Sequence, residues 1–209
     1  ALLAIDYDNF ESRKNKSLQE GKVRGLGISC YIEACGVAPS KMTLEAGGRG
    51  GYYESSTVRV NPTGSVTVFT GSHSHGQGHE TVFAQIVHET LGIPFDSIDI
   101  VHGDTGRVPY GVGTVGSRSL AVGGPALMRS LDKIIAKGKK IAAHILEAQE
   151  DEMNFENGEF SIKGTNKFVT IADVIGAAYV PGNYPLDKLE PGLEETSFYD
   201  PPNMTYPAG

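Results

Sequence analysis

Two glycine-rich stretches hold the residues of this sequence best suited to grip an anionic or heterocyclic ligand. The first is Phe69-Thr70-Gly71-Ser72-His73-Ser74-His75-Gly76-Gln77-Gly78-His79-Glu80-Thr81, which follows a β-like run and leads into helical periodicity. Glycines at such a junction let the backbone approach a ligand, and the unpaired amides of a helix start attract anions. Gln77 adds an amide that both donates and accepts, which suits a cofactor bearing oxo groups or a heterocycle. The second stretch, Gly111-Val112-Gly113-Thr114-Val115-Gly116 followed by Ser117-Arg118-Ser119, gathers hydroxyls, a guanidinium and free amides at another helix end. That set fits a pyrophosphate. Plainer readings stay open on the local residues alone: an ordinary strand-to-helix turn for the first stretch, and helix-capping serines beside a surface arginine for the second.

Several familiar chemistries fail on the same residues. A phosphate loop for nucleoside triphosphates needs Gly-Lys-Ser/Thr, whereas Gly76 is followed by Gln77. A zinc-protease helix needs His-Glu-x-x-His, but His79-Glu80 meets Phe83 and His88-Glu89 meets Gly92. His73, His75 and His79 lack a carboxylate or cysteine at ligand spacing to complete a metal site, and no metal ligands are assigned. Gly111 to Gly116 formally spells G-x-G-x-x-G, but a dinucleotide fingerprint should follow its strand directly. Nicotinamide binding is therefore a minor alternative, to be tested by whether NAD or NADP raises the melting temperature.

The composition narrows the class further. A formal net charge of -7 disfavours a nucleic-acid partner, because phosphate neutralisation needs clustered Lys and Arg. The cluster that does occur, Lys133, Lys137, Lys139 and Lys140, falls on a helical face exposed to solvent. Two cysteines, Cys30 and Cys35, exclude a disulfide framework and read as reduced, buried thiols of a cytoplasmic protein. The sequence shows no uninterrupted apolar run long enough for a membrane span and no basic flank of a signal peptide.

The elements that must position these loops are legible as an α+β fold, with mixed sheets and hairpins packed against helices. Residues 1–20 read as the end of a preceding helix or linker. Residues 23–33 alternate as a strand, with Leu26, Ile28, Cys30 and Ile32 on one side. A hairpin joins 56–60 to 65–70 through Asn61-Pro62-Thr63-Gly64, whose Pro and Gly are turn residues. A helix follows over 80–91, stopped by Gly92 and Pro94, and then a strand over 98–102. Leu127, Leu131, Ile134, Ile135, Ile141, Ala142, Ile145 and Leu146 recur at helical spacing and predict one long amphipathic helix ending near residue 150. Pro125 either kinks that helix or begins its regular part. Asn157-Gly158 predicts a short hairpin, and Thr170 with Asp173 a capping box for a helix to residue 179. Residues 181–209 form an extended tail rich in Pro and Gly that leads toward a further segment, leaving 21–180 as the central α+β region.

Taken together, the two loops resemble the large subunits of the xanthine dehydrogenase, aldehyde oxidase and carbon monoxide dehydrogenase family, carbon monoxide dehydrogenase-like chains most. The residues that carry the resemblance are Gly76 to Thr81 with Phe83-Ala84-Gln85-Ile86, then Pro109 to Thr114 and Gly116-Ser117-Arg118-Ser119. Glu33 to Ser40, Leu189 to Glu194 and Asp200 to Pro207 extend it over nearly the whole chain after Gly21. The resemblance implies an interior fragment of a molybdenum hydroxylase in which 21–180 is the molybdopterin-binding region. It implies that Gly76, Gln77, Gly78 and His79 contact the molybdopterin. Thr114, Gly116, Ser117, Arg118 and Ser119 would contact its pyrophosphate and nucleotide end, cytidine in bacterial members.

It further implies molybdopterin cytosine dinucleotide with Mo as cofactor, and 2Fe-2S and FAD on partner subunits. Those partners would be an iron-sulfur small subunit and an FAD medium subunit, assembled as a dimer of heterotrimers. The implied reaction is oxidation of carbon monoxide or hydroxylation of an aldehyde or heterocycle. The family's glutamate base lies downstream of the region matched here and its copper-linked cysteine loop upstream. No catalytic residue is therefore expected in this segment, and the fragment alone is expected to be inactive. The rival from another class is a non-catalytic binding or assembly module whose loops meet only protein.

Overall fold

The computed structural model describes residues 1–37 and 39–206, apart from the side chain of Asn183; the last three residues of the tail lie outside the described residues. It divides into two compact units, residues 1–33 and a larger unit from Ala34 onward.

In the first unit a 3-10 turn, Tyr7–Asn9, runs into helix α1, Phe10–Gln19, the helix expected at the amino end. Arg13 Nη2 donates to the Asp6 carbonyl (2.8 Å) and Arg24 Nε to Ser17 Oγ (3.0 Å). The strand expected over 23–33 does not form. Val23, Ile28 and Ile32 stand exposed there. Alternation defines two faces but does not supply a neighbour for the backbone amides and carbonyls, and Gly25 and Gly27 weaken the segment further. Cys30 lies on this stretch and is exposed rather than buried, while Cys35, in the second unit, is half-buried.

The larger unit begins with α2, Ser40–Glu45, followed by the hairpin β1, Glu54–Val60, and β2, Val66–Thr70. Their antiparallel register pairs Ser56 with Thr70 and Val60 with Val66 around the turn read from Asn61-Pro62-Thr63-Gly64. Helix α3, His79–Leu91, ends at Gly92 in the left-handed region (φ 71°), as its stop signal requires. It crosses over to β3, Ile98–Val101, which pairs parallel to β2. One parallel unit therefore sits inside an otherwise antiparallel α+β arrangement.

A π-helical turn, Ser119–Gly123, leads into α4, Gly124–Ile145, and Pro125 stands just after the junction, in the first turn of α4, where the regular helix begins. The helix stops at Ile145 rather than near 150, because Glu147 takes a left-handed conformation (φ 54°) and Ala148 N–H returns to Ala143 O (2.9 Å). Its apolar stripe, Leu127, Leu131, Ile134 and Ile141, is buried together with Val58, Val60, Val66 and Val68 of the hairpin. Gly138 lets the Phe160 ring lie against the helix; a Cβ there would come within 2.5 Å of that ring.

Strands β4, Met153–Glu156, β5, Glu159–Ile162, and β6, Phe168–Thr170, form a small antiparallel sheet with Asn157 and Gly158 both at positive φ in its first turn. Helix α5, Ile171–Tyr179, starts at the expected capping box of Thr170 and Asp173. The tail contains one more strand, β7, Glu194–Tyr199, which pairs antiparallel with β1 and completes a sheet of order β3-β2-β1-β7. Among the described residues no helix is long and apolar enough to cross a membrane.

Candidate functional site

Parallel pairing of β2 and β3 sends the segments that follow them off the same end of the sheet. The loop after β2, residues 71–78, and the loop after β3, residues 102–118, therefore emerge side by side. Strand β1 runs the other way, so its first residues, Glu54 and Ser55, lie at that same end.

The loops are tied at several points. Thr114 Oγ1 donates to the His73 carbonyl (2.5 Å) and lies 2.8 Å from Ser119 Oγ. Ser55 Oγ donates to the Tyr110 carbonyl and accepts from the Tyr110 amide (3.1 Å). Tyr110 stacks on Tyr53 with ring centroids 4.2 Å apart, and its hydroxyl donates to Gly51 O (2.8 Å). Burial pushes that Tyr110 hydroxyl above its ordinary pKa. At the far end of the second loop, Gly36 and Val37 donate their amides to Ser117 O (3.0 Å) and Gly116 O (3.3 Å). Between the loops lies a cavity of about 340 Å³ lined by Thr70, Gly71, His73, Asp104, Tyr110 and Gly113, among others.

The first loop offers donors to a ligand. Helix α3 starts without a side-chain cap from Gly78, so its first-turn amides, apart from that of Glu80, which its own carboxylate engages, carry the positive end of the helix dipole into the loop. Gly76 and Gly78 have φ of 97° and 81°, and a Cβ on either would meet nothing within 4 Å. The Gln77 carbonyl oxygen accepts from the His75 amide, which leaves its NH2 group to donate. His79 is buried, and its Nδ1 has no hydrogen-bond partner among the described residues. Desolvation lowers its pKa, so the ring is neutral at pH 7. Glu80 accepts from Ser74 Oγ (3.0 Å) and lies 2.8 Å from His102 Nε2. Its own amide and then His102 hold its carboxyl down to about 2.

In the second loop Thr114 and Ser119 come together as expected, Gly116 packs against Val37, and Ser117 is exposed with a left-handed backbone (φ 50°). Arg118, expected to contact the ligand, has its guanidinium taken up by the protein. It is fully buried, with Nη1 donating to Glu54 Oε2 (3.0 Å) and Gly113 O (2.9 Å) and Nη2 to the carbonyls of Tyr52 and Tyr53. Its charge is spent on Glu54 behind the loop. Burial raises the pKa of Glu54, opposed by the Ser55 amide and by Arg118. The sequence pointed to neither Glu54 nor Ser55 as part of the site, and to Ser72 only as a member of the first glycine-rich stretch; a lone Glu preceding a hairpin strand was the available signal. Among the described residues no group of His, Cys, Asp and Glu is arranged to hold a metal ion.

A family model described as "Molybdopterin cofactor-binding domain" matches residues 1–209. The carbon monoxide dehydrogenase large chain of Hydrogenophaga pseudoflava is 42% identical over all of this chain and 26% of its own length. Its counterpart from Afipia carboxidovorans is 43% identical, again over 100% of this chain and 26% of the relative. The solved structure of a Cu,Mo-CO dehydrogenase in its carbon monoxide reduced state superposes with a TM-score of 0.78 and 40% identity, covering 98% of this chain and 26% of that one. The chain thus spans about a quarter of the length of these relatives. A family match along the whole sequence, together with close structural likeness, shows that the chain belongs to the molybdopterin cofactor-binding domain family.

Proposed function

We propose that this chain is the part of a molybdenum hydroxylase large subunit that grips the cofactor between the loops at 71–78 and 102–119. One observation carries the reading most. The glycines at 76 and 78 leave open space where side chains would stand, beside an uncapped helix start and the orphaned Nδ1 of His79. Such a cradle, with the His79 Nδ1 unpartnered among the described residues, fits a flat, anionic, hydrogen-bonding group. Gly76, Gln77, Gly78 and His79 would hold the molybdopterin; the Thr114 and Ser119 hydroxyls, with the backbone at Gly116 and Ser117, would hold the phosphate end. Arg118 would shape that loop from behind.

When bound, the cofactor supplies the two-electron redox chemistry, and this chain contributes binding, orientation and exclusion of water. The nucleotide form proposed is cytosine dinucleotide. The proposed substrates are carbon monoxide, or an aldehyde or heterocycle, because two relatives 42% and 43% identical over the whole chain are carbon monoxide dehydrogenase large chains. The proposed partners are an iron-sulfur small subunit and an FAD medium subunit in a cytoplasmic dimer of heterotrimers. Residues 21–180 are proposed as the cofactor-binding region, with 1–20 entering from a preceding domain and 181–209 leading onward.

The test is elemental mass spectrometry of the full-length protein for molybdenum and copper, with nucleotide release by acid hydrolysis. Stoichiometric molybdenum with CMP is expected, and copper beside it would point to carbon monoxide. Matured protein without molybdenum and CMP would sink the reading and favour a binding module.

A further inference from the structure

The carboxylate of Glu54, at the first residue of β1, is fully buried beneath the point where the two loops cross. A Cβ on Gly71 would lie 2.0 Å from Glu54 Oε1 and 2.5 Å from Gly111 Cα; one on Gly111 would lie 2.3 Å from Gly71 Cα and 2.5 Å from the same oxygen. The loops therefore touch backbone to backbone with Glu54 as their floor. Oε1 accepts the Ser55 amide (3.0 Å), while Oε2 accepts Ser72 Oγ of the first loop (3.3 Å) and Arg118 Nη1 at the end of the second (3.0 Å). Arg118 in turn binds the carbonyls of Gly113, Tyr52 and Tyr53. One ion pair thus joins the entry to β1, both loops and the turn before α4.

Stability alone does not account for it. A buried ion pair is costly to desolvate, and a well-packed apolar replacement is often as stable or more so. Arg118 Nε is moreover buried without an acceptor among the described residues. What directed hydrogen bonds do, and apolar packing does not, is fix distances between glycine-rich backbones that have little rigidity of their own.

We propose that the Glu54–Arg118 pair is the positioning device that sets the spacing of the two loops for the cofactor, both residues acting through the loops rather than touching the ligand. The inference rests on the proposed function. Loops held at the bound spacing lose less freedom on binding, so the pair should appear in cofactor retention beyond any effect on folding.

The test uses the full-length enzyme with its partners: wild type, Glu54→Asp, Glu54→Gln, the double variant Glu54→Gln/Arg118→Met, and Leu131→Ala as a core variant remote from the loops. Molybdenum and nucleotide per polypeptide, the half-life of cofactor loss on dilution, and Tm are measured for each. Cofactor loss at least tenfold faster in Glu54→Asp than in Leu131→Ala, compared at equal distance below each Tm, is expected. The double variant should recover the Tm lost in Glu54→Gln without recovering retention. Retention that simply follows Tm across the series, or a double variant that recovers both, overturns the proposal. So does failure of Glu54→Asp to fold, which would make the pair part of the folding core. Wild-type enzyme without molybdenum removes the functional reading itself, and the inference with it; the other outcomes remove only the inference.

Discussion

A methyl group placed on Gly71 has nowhere to go. It would lie 2.0 Å from Glu54 Oε1 and 2.5 Å from both Gly111 Cα and Tyr110 O, where ordinary contacts need about 3.5 Å. Two of those three neighbours are backbone, so relief requires the loops to part and the Glu54 carboxylate to leave its partners. Overpacking of this kind costs about 1–3 kcal/mol. With the hydrogen bonds to Ser55, Ser72 and Arg118 disturbed as well, Gly71→Ala should destabilise this end of the sheet by about 3 kcal/mol. The counterpart is Gly176→Ala in α5, where a Cβ meets nothing within 4 Å and a helix interior gains up to about 1 kcal/mol. Hydrogen exchange on the full-length protein reads both. A loss of about 3 kcal/mol speeds exchange of β1 and β2 amides such as Val58 and Val68 by about two orders of magnitude, while Gly176→Ala should slow exchange in α5. Unchanged protection of β1 and β2 in Gly71→Ala would refute the back-to-back crossing of the loops.

Gly78→Ala should behave differently, since its Cβ points into open space and the cost is the positive φ of 81°, about 1–2 kcal/mol. The fold should survive while molybdenum per polypeptide drops severalfold, as elemental analysis would register. His79→Leu removes the orphaned Nδ1, so Tm of the cofactor-free protein should stay level or rise while cofactor retention falls. Glu80 supplies the pH dependence. Its folded pKa, about 2, lies below the ordinary 4.5, so its contribution is present above pH 4.5 and lost as pH falls toward 2. Amide protection at the start of α3 should accordingly decline over that window in wild type and vary less in Glu80→Gln.

The parts of the fold legible in advance are those set by local chemistry. Turn residues at 61–64 and 157–158, the glycine stop at 92, the capping box at 170–173 and the stripe of α4 each act within a few residues, and each recurs in the structure. Long-range pairing was not legible. Residues 23–33 have the alternation of a strand but form none, whereas β7, written Glu-Glu-Thr-Ser-Phe-Tyr, has little apolar alternation and still pairs with β1. Side-chain pattern reports which faces a strand would have; the ladder depends on a neighbour that the local sequence does not name.

The same division runs through the site. Glycines, hydroxyls and a helix start are what make the loops candidates for ligand binding from sequence, because backbone freedom and helix-start amides are properties of the segment itself. What Arg118 does depends on its counterion, and that counterion lies 64 residues earlier in the chain. Seen in the sequence beside Ser117 and Ser119, a guanidinium at a helix end suits phosphate; seen in the fold, its charge is already neutralised. The phosphate end of a cofactor would then be met by dipoles and hydroxyls rather than a full positive charge. Binding at that end should therefore depend weakly on ionic strength, since an exposed cation's attraction would be screened by salt and a set of fixed hydrogen bonds would not. A steep loss of cofactor affinity between low and high salt, measured on the full-length enzyme, would return Arg118 to the ligand and remove it from beneath the loop.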